Sequence, residues 1–81
     1  MSFATDLLAF VNDEISLDPS HVAEASTDLL LTGLVDSLGV VQIVGWIEDE
    51  VGISIDPADV VLDNFQTVDQ MIAYVQRRQV A

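Results

Sequence analysis

The stretch TGLVDSLGVVQIVGWIEDEVG, Thr32 to Gly52, decides how this chain folds. Leu38, Val41, Val44, Ile47 and Val51 recur three and four residues apart, with Val40 and Ile43 beside them, so one face of a helix is apolar. Asp36 stands where a helix N-cap belongs, and a carboxylate there suits the positive end of the helix. Gly52 follows the last periodic residue, where a left-handed C-cap is favoured. The spacing therefore predicts a helix from Ser37 to Val51. Gly39 and Gly45 lie inside it, and each costs about 1 kcal/mol relative to alanine. A helix that keeps both is expected to have a reason, such as the close approach of another molecule.

Outward toward the N-terminus, Leu17 to Val35 reads as a long connection. Asp18-Pro19-Ser20 is a turn signal, and His21-Val22 starts one further short turn. Leu29, Leu30 and Leu31 are too apolar for plain loop and are expected to plug the core. A loop of this length in so short a chain is itself a sign of function. Before it, Phe3, Leu7, Leu8, Phe10, Val11 and Ile15 recur at helical spacing, which predicts a first helix from Phe3 to Ile15 with Ser2 as its N-cap.

Outward toward the C-terminus, Ile53-Ser54-Ile55 imitates a strand but has no partner, so it reads as an extended linker. Asp56-Pro57 places an N-cap before a proline at the first helical position, and a short helix over Ala58 to Leu62 is expected. Asp63-Asn64-Phe65 then connects, with Phe65 as an aromatic plug. Thr67 and Gln70 form a capping box for the last helix, whose apolar face is Val68, Met71, Ile72 and Val75. Arg77 and Arg78 fall in its last turn, complementing the helix dipole. The fold class is all-α: a four-helix bundle of three longer helices and one short third helix, with a long first loop.

Composition narrows the function. The chain has 81 residues, 14 acidic side chains against two arginines, net charge −12, and neither lysine nor cysteine. Without cysteine there is no disulfide, no thiolate metal site and no thiol nucleophile. Phosphate backbones and anionic membranes would repel such a surface, so neither nucleic acid nor a membrane is expected as partner. A 51% hydrophobic content argues against an acidic disordered tail. The N-terminus lacks the positive region of a secretory signal, no apolar run approaches the roughly 20 residues of a membrane span, and cytoplasmic residence is expected. The chain reads as one free-standing domain over residues 1–81, and as a monomer.

Ser37 is the residue most suited to chemistry. It is a hydroxyl at the positive end of a helix, after a glycine-containing loop, and that end suits a covalently attached phosphodiester. Asp36-Ser37-Leu38 at this position resembles the signature of acyl and peptidyl carrier proteins. The likeness extends to the first helix, the Leu29-Leu30-Leu31-Thr32-Gly33-Leu34 approach, the Gly52-Ile53-Ser54-Ile55 exit, the Pro57-led short helix and Phe65-Gln66-Thr67 before the last helix. It covers nearly the whole chain. The resemblance implies that Ser37 carries 4′-phosphopantetheine, placed there from coenzyme A by a phosphopantetheinyl transferase. Asp36 and Leu38 flank the attachment site. The arm's thiol would hold an acyl or aminoacyl group as a thioester, and the carrier itself would catalyse nothing. Partner enzymes of the family commonly dock on the second helix, which here means Val41, Gln42, Gly45, Glu48 and Asp49.

Carriers of fatty-acid synthesis usually place further acids just after the serine. Gly39 and Gln42 stand there in this chain, and the acids of the helix gather at its far end as Glu48, Asp49 and Glu50. Trp46 is also unusual at mid-helix. The stretches Thr32 to Ser37 and Asn64-Phe65 look more like carriers served by adenylating ligases. An amino-acyl or secondary-metabolite pathway is therefore expected, with an adenylating acyl or aminoacyl ligase and downstream biosynthetic enzymes as partners. Two other classes compete: an acidic interaction module that never carries an arm, and a serine hydrolase. The hydrolase needs a base for Ser37, and the single histidine, His21, lies in the preceding loop without a Gly-x-Ser-x-Gly context. His21 is expected to be a loop residue and Trp46 a half-buried packing residue. No metal site is expected, because Asp56, Asp59 and Asp63 lack the spacing of a calcium loop.

Overall fold

A computed structural model describes residues 2–80. Met1 and Ala81, the two ends of the expected domain, lie outside the described residues. The chain forms α1 (Phe3–Phe10), which continues as a π-helical turn over Val11–Ile15, then α2 (Ser37–Val51), a 3-10 turn (Pro57–Asp59), α3 (Leu62–Phe65) and α4 (Val68–Val80). Among the described residues there is no strand, and no helix is long and apolar enough to cross a membrane. The all-α, four-helix expectation holds.

The first helix spans the expected residues, but its last turn is wider than the sequence suggests. The Ser16 amide donates to the Val11 carbonyl at 2.8 Å, closing a five-residue turn. In an α-helix, residues four apart drift steadily around the axis. The wider turn reverses that drift, so Leu7, Val11 and Ile15 all stay buried on the core side. Ser2 caps the start as expected, its hydroxyl accepting from the Thr5 amide at 3.1 Å.

One core joins the helices. Leu7 and Val11, Leu29, Ile43 and Ile47, Phe65, and Val68, Met71 and Val75 are almost wholly removed from solvent. Tyr74, which the apolar spacing passes over, is buried as well, while Ile72 is only half-buried. Trp46 packs as expected: its ring stacks on Phe10 (centroids 5.1 Å apart) and Phe3 (5.8 Å), joining α1 to α2.

Three expectations need correction. Of the three leucines assigned to the core, Leu29 is buried and Leu30 half-buried, but Leu31 is 84% exposed. Their stretch is a turn, not a strand or helix stripe, so successive side chains point in different directions. Next, the short helix expected over Ala58 to Leu62 is displaced. Asp56 caps only the 3-10 turn, its carboxylate accepting from the Ala58 amide at 2.9 Å, and the α-helical turn begins at Leu62. Phe65 therefore plugs the core from within α3 rather than from a connection. Finally, Gly39 makes room for the chain itself. A Cβ there would lie 2.8 Å from Val35 Cγ1 and 2.9 Å from Ile15 Cγ2. Gly45 differs, since a Cβ there would meet nothing within 4 Å.

Arg77 and Arg78 do more than complement a dipole. Arg77 donates to Asn64 Oδ1 (3.0 Å), and Arg78 donates to the Ser54 carbonyl and the Tyr74 hydroxyl (both 2.9 Å). The Tyr74 hydroxyl in turn donates to Asp59 Oδ2 at 2.7 Å. Arg77 thus ties α4 to α3, and Arg78 ties it to the segment between α2 and α3. Burial, and then the Asp59 hydrogen bond, push the Tyr74 phenol above its ordinary pKa of 10.0.

Candidate functional site

Ser37 owes its position to how the long loop is fastened. At one end, the Asn12 side chain grips Ala23: Oδ1 accepts from the Ala23 amide (2.8 Å) and Nδ2 donates to its carbonyl (3.0 Å). In the middle, Asp28 organises a turn. Its carboxylate accepts from the Leu31 amide at 2.8 Å and from the Gln66 side-chain amide, and its carbonyl accepts the Thr32 hydroxyl at 2.7 Å. The Leu29 amide donates to the Gln66 carbonyl (2.9 Å) and the Asp69 amide to the Ala25 carbonyl (3.0 Å), strapping the loop to the α3–α4 corner. Gly33 then takes a left-handed φ of 77°, which a side chain would strain. Beyond it Leu34 and Val35 drop into the core.

That anchored path delivers Asp36 in extended conformation as the N-cap of α2. Its Oδ1 accepts from the Gly39 amide at 2.8 Å, and its carbonyl accepts from Val40 at 3.0 Å. Ser37 is the first helical residue and is exposed. The amides of Ser37 and Leu38 belong to the same first turn, where intrahelical acceptors are lacking and the helix dipole is positive. Among the described residues no side chain hydrogen-bonds the Ser37 hydroxyl. His21 sits in its own turn, its amide donating to the Asp18 carbonyl at 3.0 Å. A hydrolase needs a base in hydrogen-bond contact with its nucleophile, and this geometry does not supply one.

The residues expected to face partners share one side of α2. Leu38, Val41 and Gln42 are exposed, Gly45 is half-exposed on a bare stretch of helix, and Asp49 is exposed at the far end. Glu48 is partly committed: its Oε2 accepts from the Ile55 amide at 2.7 Å, holding the linker against α2. No group of three or more histidine or acidic side chains is placed to hold a metal among the described residues.

Beside Ser37 runs an apolar groove of about 530 Å³, walled by Val40 and Val41 of α2, Leu30 of the loop, and Val60, Leu62 and Phe65. A second groove of about 360 Å³ shares Val41 and Val60 with it and continues along α2 to Glu48. Sequence reasoning missed this far wall. The Val60-Val61-Leu62 run reads as the inside of a helix until the displaced α3 leaves Val61 and Leu62 exposed. The run of three aliphatic residues beside a proline-led turn was the available signal.

Residues 5–75 match a family described as phosphopantetheine attachment site, so the match spans both Ser37 and the elements that position it. Neither the curated proteins nor the solved structures give a match.

Proposed function

Because the chain belongs to the phosphopantetheine attachment-site family, we propose that Ser37 is the residue to which 4′-phosphopantetheine is attached. Members of this family hold that group covalently and act as non-catalytic carriers. The observation that carries the assignment to Ser37 is its setting: an exposed hydroxyl on the first residue of α2, unengaged by neighbouring side chains, beside an apolar groove. The residues present fit the group. Ser37 Oγ would hold its phosphate, and the positive end of α2 would favour the resulting phosphodiester charge. The group supplies a terminal thiol for thioester linkage, which a chain without cysteine lacks.

The protein's own residues hold the attachment point still and accessible. Asp36 fixes the first turn of α2 by capping Gly39, so Ser37 is presented on a rigid helix end. Leu38 flanks it in the same turn. The phosphopantetheinyl transferase and the downstream biosynthetic enzymes dock on the outer face of α2, at Val41, Gln42, Gly45, Glu48 and Asp49. Gly39 and Gln42 in place of acids after Ser37 support service to an adenylating acyl or aminoacyl ligase, with an amino acid or specialised acyl group as cargo.

The test is direct. The protein is incubated with coenzyme A and a broad-specificity transferase, then weighed intact. One phosphopantetheine is expected on wild type and none on Ser37→Ala. Addition to neither would sink the reading and leave an acidic interaction module, whereas addition to both would move the attachment to another residue.

A further inference from the structure

We infer that the groove at the far end of α2 from Ser37, where α1, α2 and α4 converge, is a docking site for a segment of another protein that presents an arginine beside an aliphatic side chain. It is a second surface, separate from the attachment site, and it leaves that site free.

The groove has a volume of about 550 Å³. Its base is apolar, made by Phe3 of α1, Val51 of α2, and Ile72 and Val75 of α4. Phe3 is fixed by its stacking on Trp46, with centroids 5.8 Å apart. The rim is polar. Asp6 of α1 and Glu50 of α2 bring two carboxylates, and Gln76 and Gln79, one turn apart on α4, bring two amides. An α-helix rises about 1.5 Å per residue, so Glu50 lies about 20 Å from Ser37 along α2. No residue of this groove lines either of the two grooves at the Ser37 end.

The acids of α2 are placed against the helix's own electrostatics. Glu48, Asp49 and Glu50 fall at its C-terminal end, which is the negative end of a helix, and the last turn holds no base. Glu48 is compensated by the Ile55 amide at 2.7 Å. The carboxylates of Asp6 and Glu50 accept no hydrogen bond among the described residues. Neither arginine of the chain serves them, because Arg77 is engaged with Asn64, and Arg78 with Tyr74 and Ser54. A local rule broken without internal compensation is the kind of feature that function maintains.

The missing charge is best supplied by a long basic side chain. Among the described residues no third acid joins the pair to hold a metal ion, and a hydrated ion would gain nothing from the apolar base. Arginine matches both parts of the groove. Its stem lies on Val51 and Ile72, while its planar head donates to the carboxylates and to the glutamine side-chain carbonyls. The neighbouring aliphatic side chain covers the rest of the base. A second copy of this chain is opposed by the net charge of −12 on each.

The test is an NMR titration of the isotopically labelled protein with a capped helical peptide of alanine, leucine and arginine, at about 0.15 M salt so that long-range attraction is screened. The largest amide shifts are expected at Phe3, Asp6, Glu50 and Gln76, with Ser37, Leu38 and Val41 unmoved. Serine for leucine in the peptide, or glutamine for arginine, is expected to weaken binding about fivefold or more. Asp6→Asn with Glu50→Gln is expected to weaken it about fivefold to tenfold. Asp63→Asn with Asp69→Asn, which removes the same charge outside the groove, should leave it within about twofold of wild type. Circular dichroism checks that both variants fold.

Equal weakening by the two pairs of substitutions would overturn the proposal, because net charge alone would then attract the peptide. Shifts as large at Ser37 to Val41, binding indifferent to the leucine, or no shift with millimolar peptide would overturn it as well. The titration uses the unmodified chain, so each of these outcomes is independent of whether Ser37 accepts the arm.

Discussion

Gly39 and Gly45 lie on the same helix six residues apart, and the structure assigns opposite signs to the same substitution. An interior helical glycine costs about 1 kcal/mol relative to alanine, mainly through backbone entropy. At Gly45 an added Cβ meets nothing within 4 Å, so Gly45→Ala should recover that amount. At Gly39 the same methyl would lie 2.8 Å from Val35 Cγ1 and 2.9 Å from Ile15 Cγ2. Both neighbours are β-branched and buried, so neither swings aside easily. Overpacking a filled core costs about 1–3 kcal/mol, and contacts this short belong in the upper part of that range. Net of the helix gain, Gly39→Ala should destabilise by about 1–2 kcal/mol. For a domain of this size each kcal/mol moves the midpoint by about 4–8 °C. Thermal and urea unfolding, followed by circular dichroism and by Trp46 fluorescence, should show Gly45→Ala above wild type and Gly39→Ala below it. A Gly39→Ala variant as stable as Gly45→Ala would refute the packing of α2 against the end of α1.

Three further outcomes are expected. Asn12→Ala leaves the amide of buried Ala23 without its acceptor, so stability should fall by about 1–3 kcal/mol, and hydrogen exchange should quicken in the long loop before it does in α4. Because the folded-state pKa of Tyr74 is raised, its contribution is complete below the unfolded value near 10 and is lost as pH rises through the higher folded value. Tyr74→Phe should therefore be less stable than wild type below pH about 10 and lack the fall in stability that wild type shows above it, and tyrosinate absorbance should report the titration directly, as Tyr74 is the single tyrosine. Self-repulsion at −12 should also make the melting temperature rise with moderate salt; a flat response would show that the acids are too dispersed to oppose folding.

Much of the site could be read locally. A helix start is a local event: Asp36, Ser37 and Leu38 declare it by cap chemistry and spacing, and the Thr67–Gln70 box declares the last helix equally well, with both of its hydrogen bonds present at 3.1 Å. The groove could not be read this way. Its walls come from α2 and from residues 60–65, and whether Val61 and Leu62 face the core or the solvent depends on where α3 begins. That start moved from Ala58 to Leu62 because Asp56 and Pro57 nucleate only one 3-10 turn. Leu31 was misjudged for a related reason: hydrophobicity records what a side chain can bury, and the Asp28 turn decides which of three adjacent leucines does so.

The sequence by itself determined the helices, their caps, the place of the serine at the head of α2 and the acidity of the chain. Each follows from side chains within a few residues of one another or from composition. Only the tertiary structure decided that Gly39 exists to admit Ile15 and Val35, that Arg77 fastens α3 and Arg78 the linker, and that the ground beside Ser37 is apolar rather than acidic. Those features join residues far apart in the chain. Their energies depend on close packing and hydrogen-bond distances, which no periodicity along the sequence encodes.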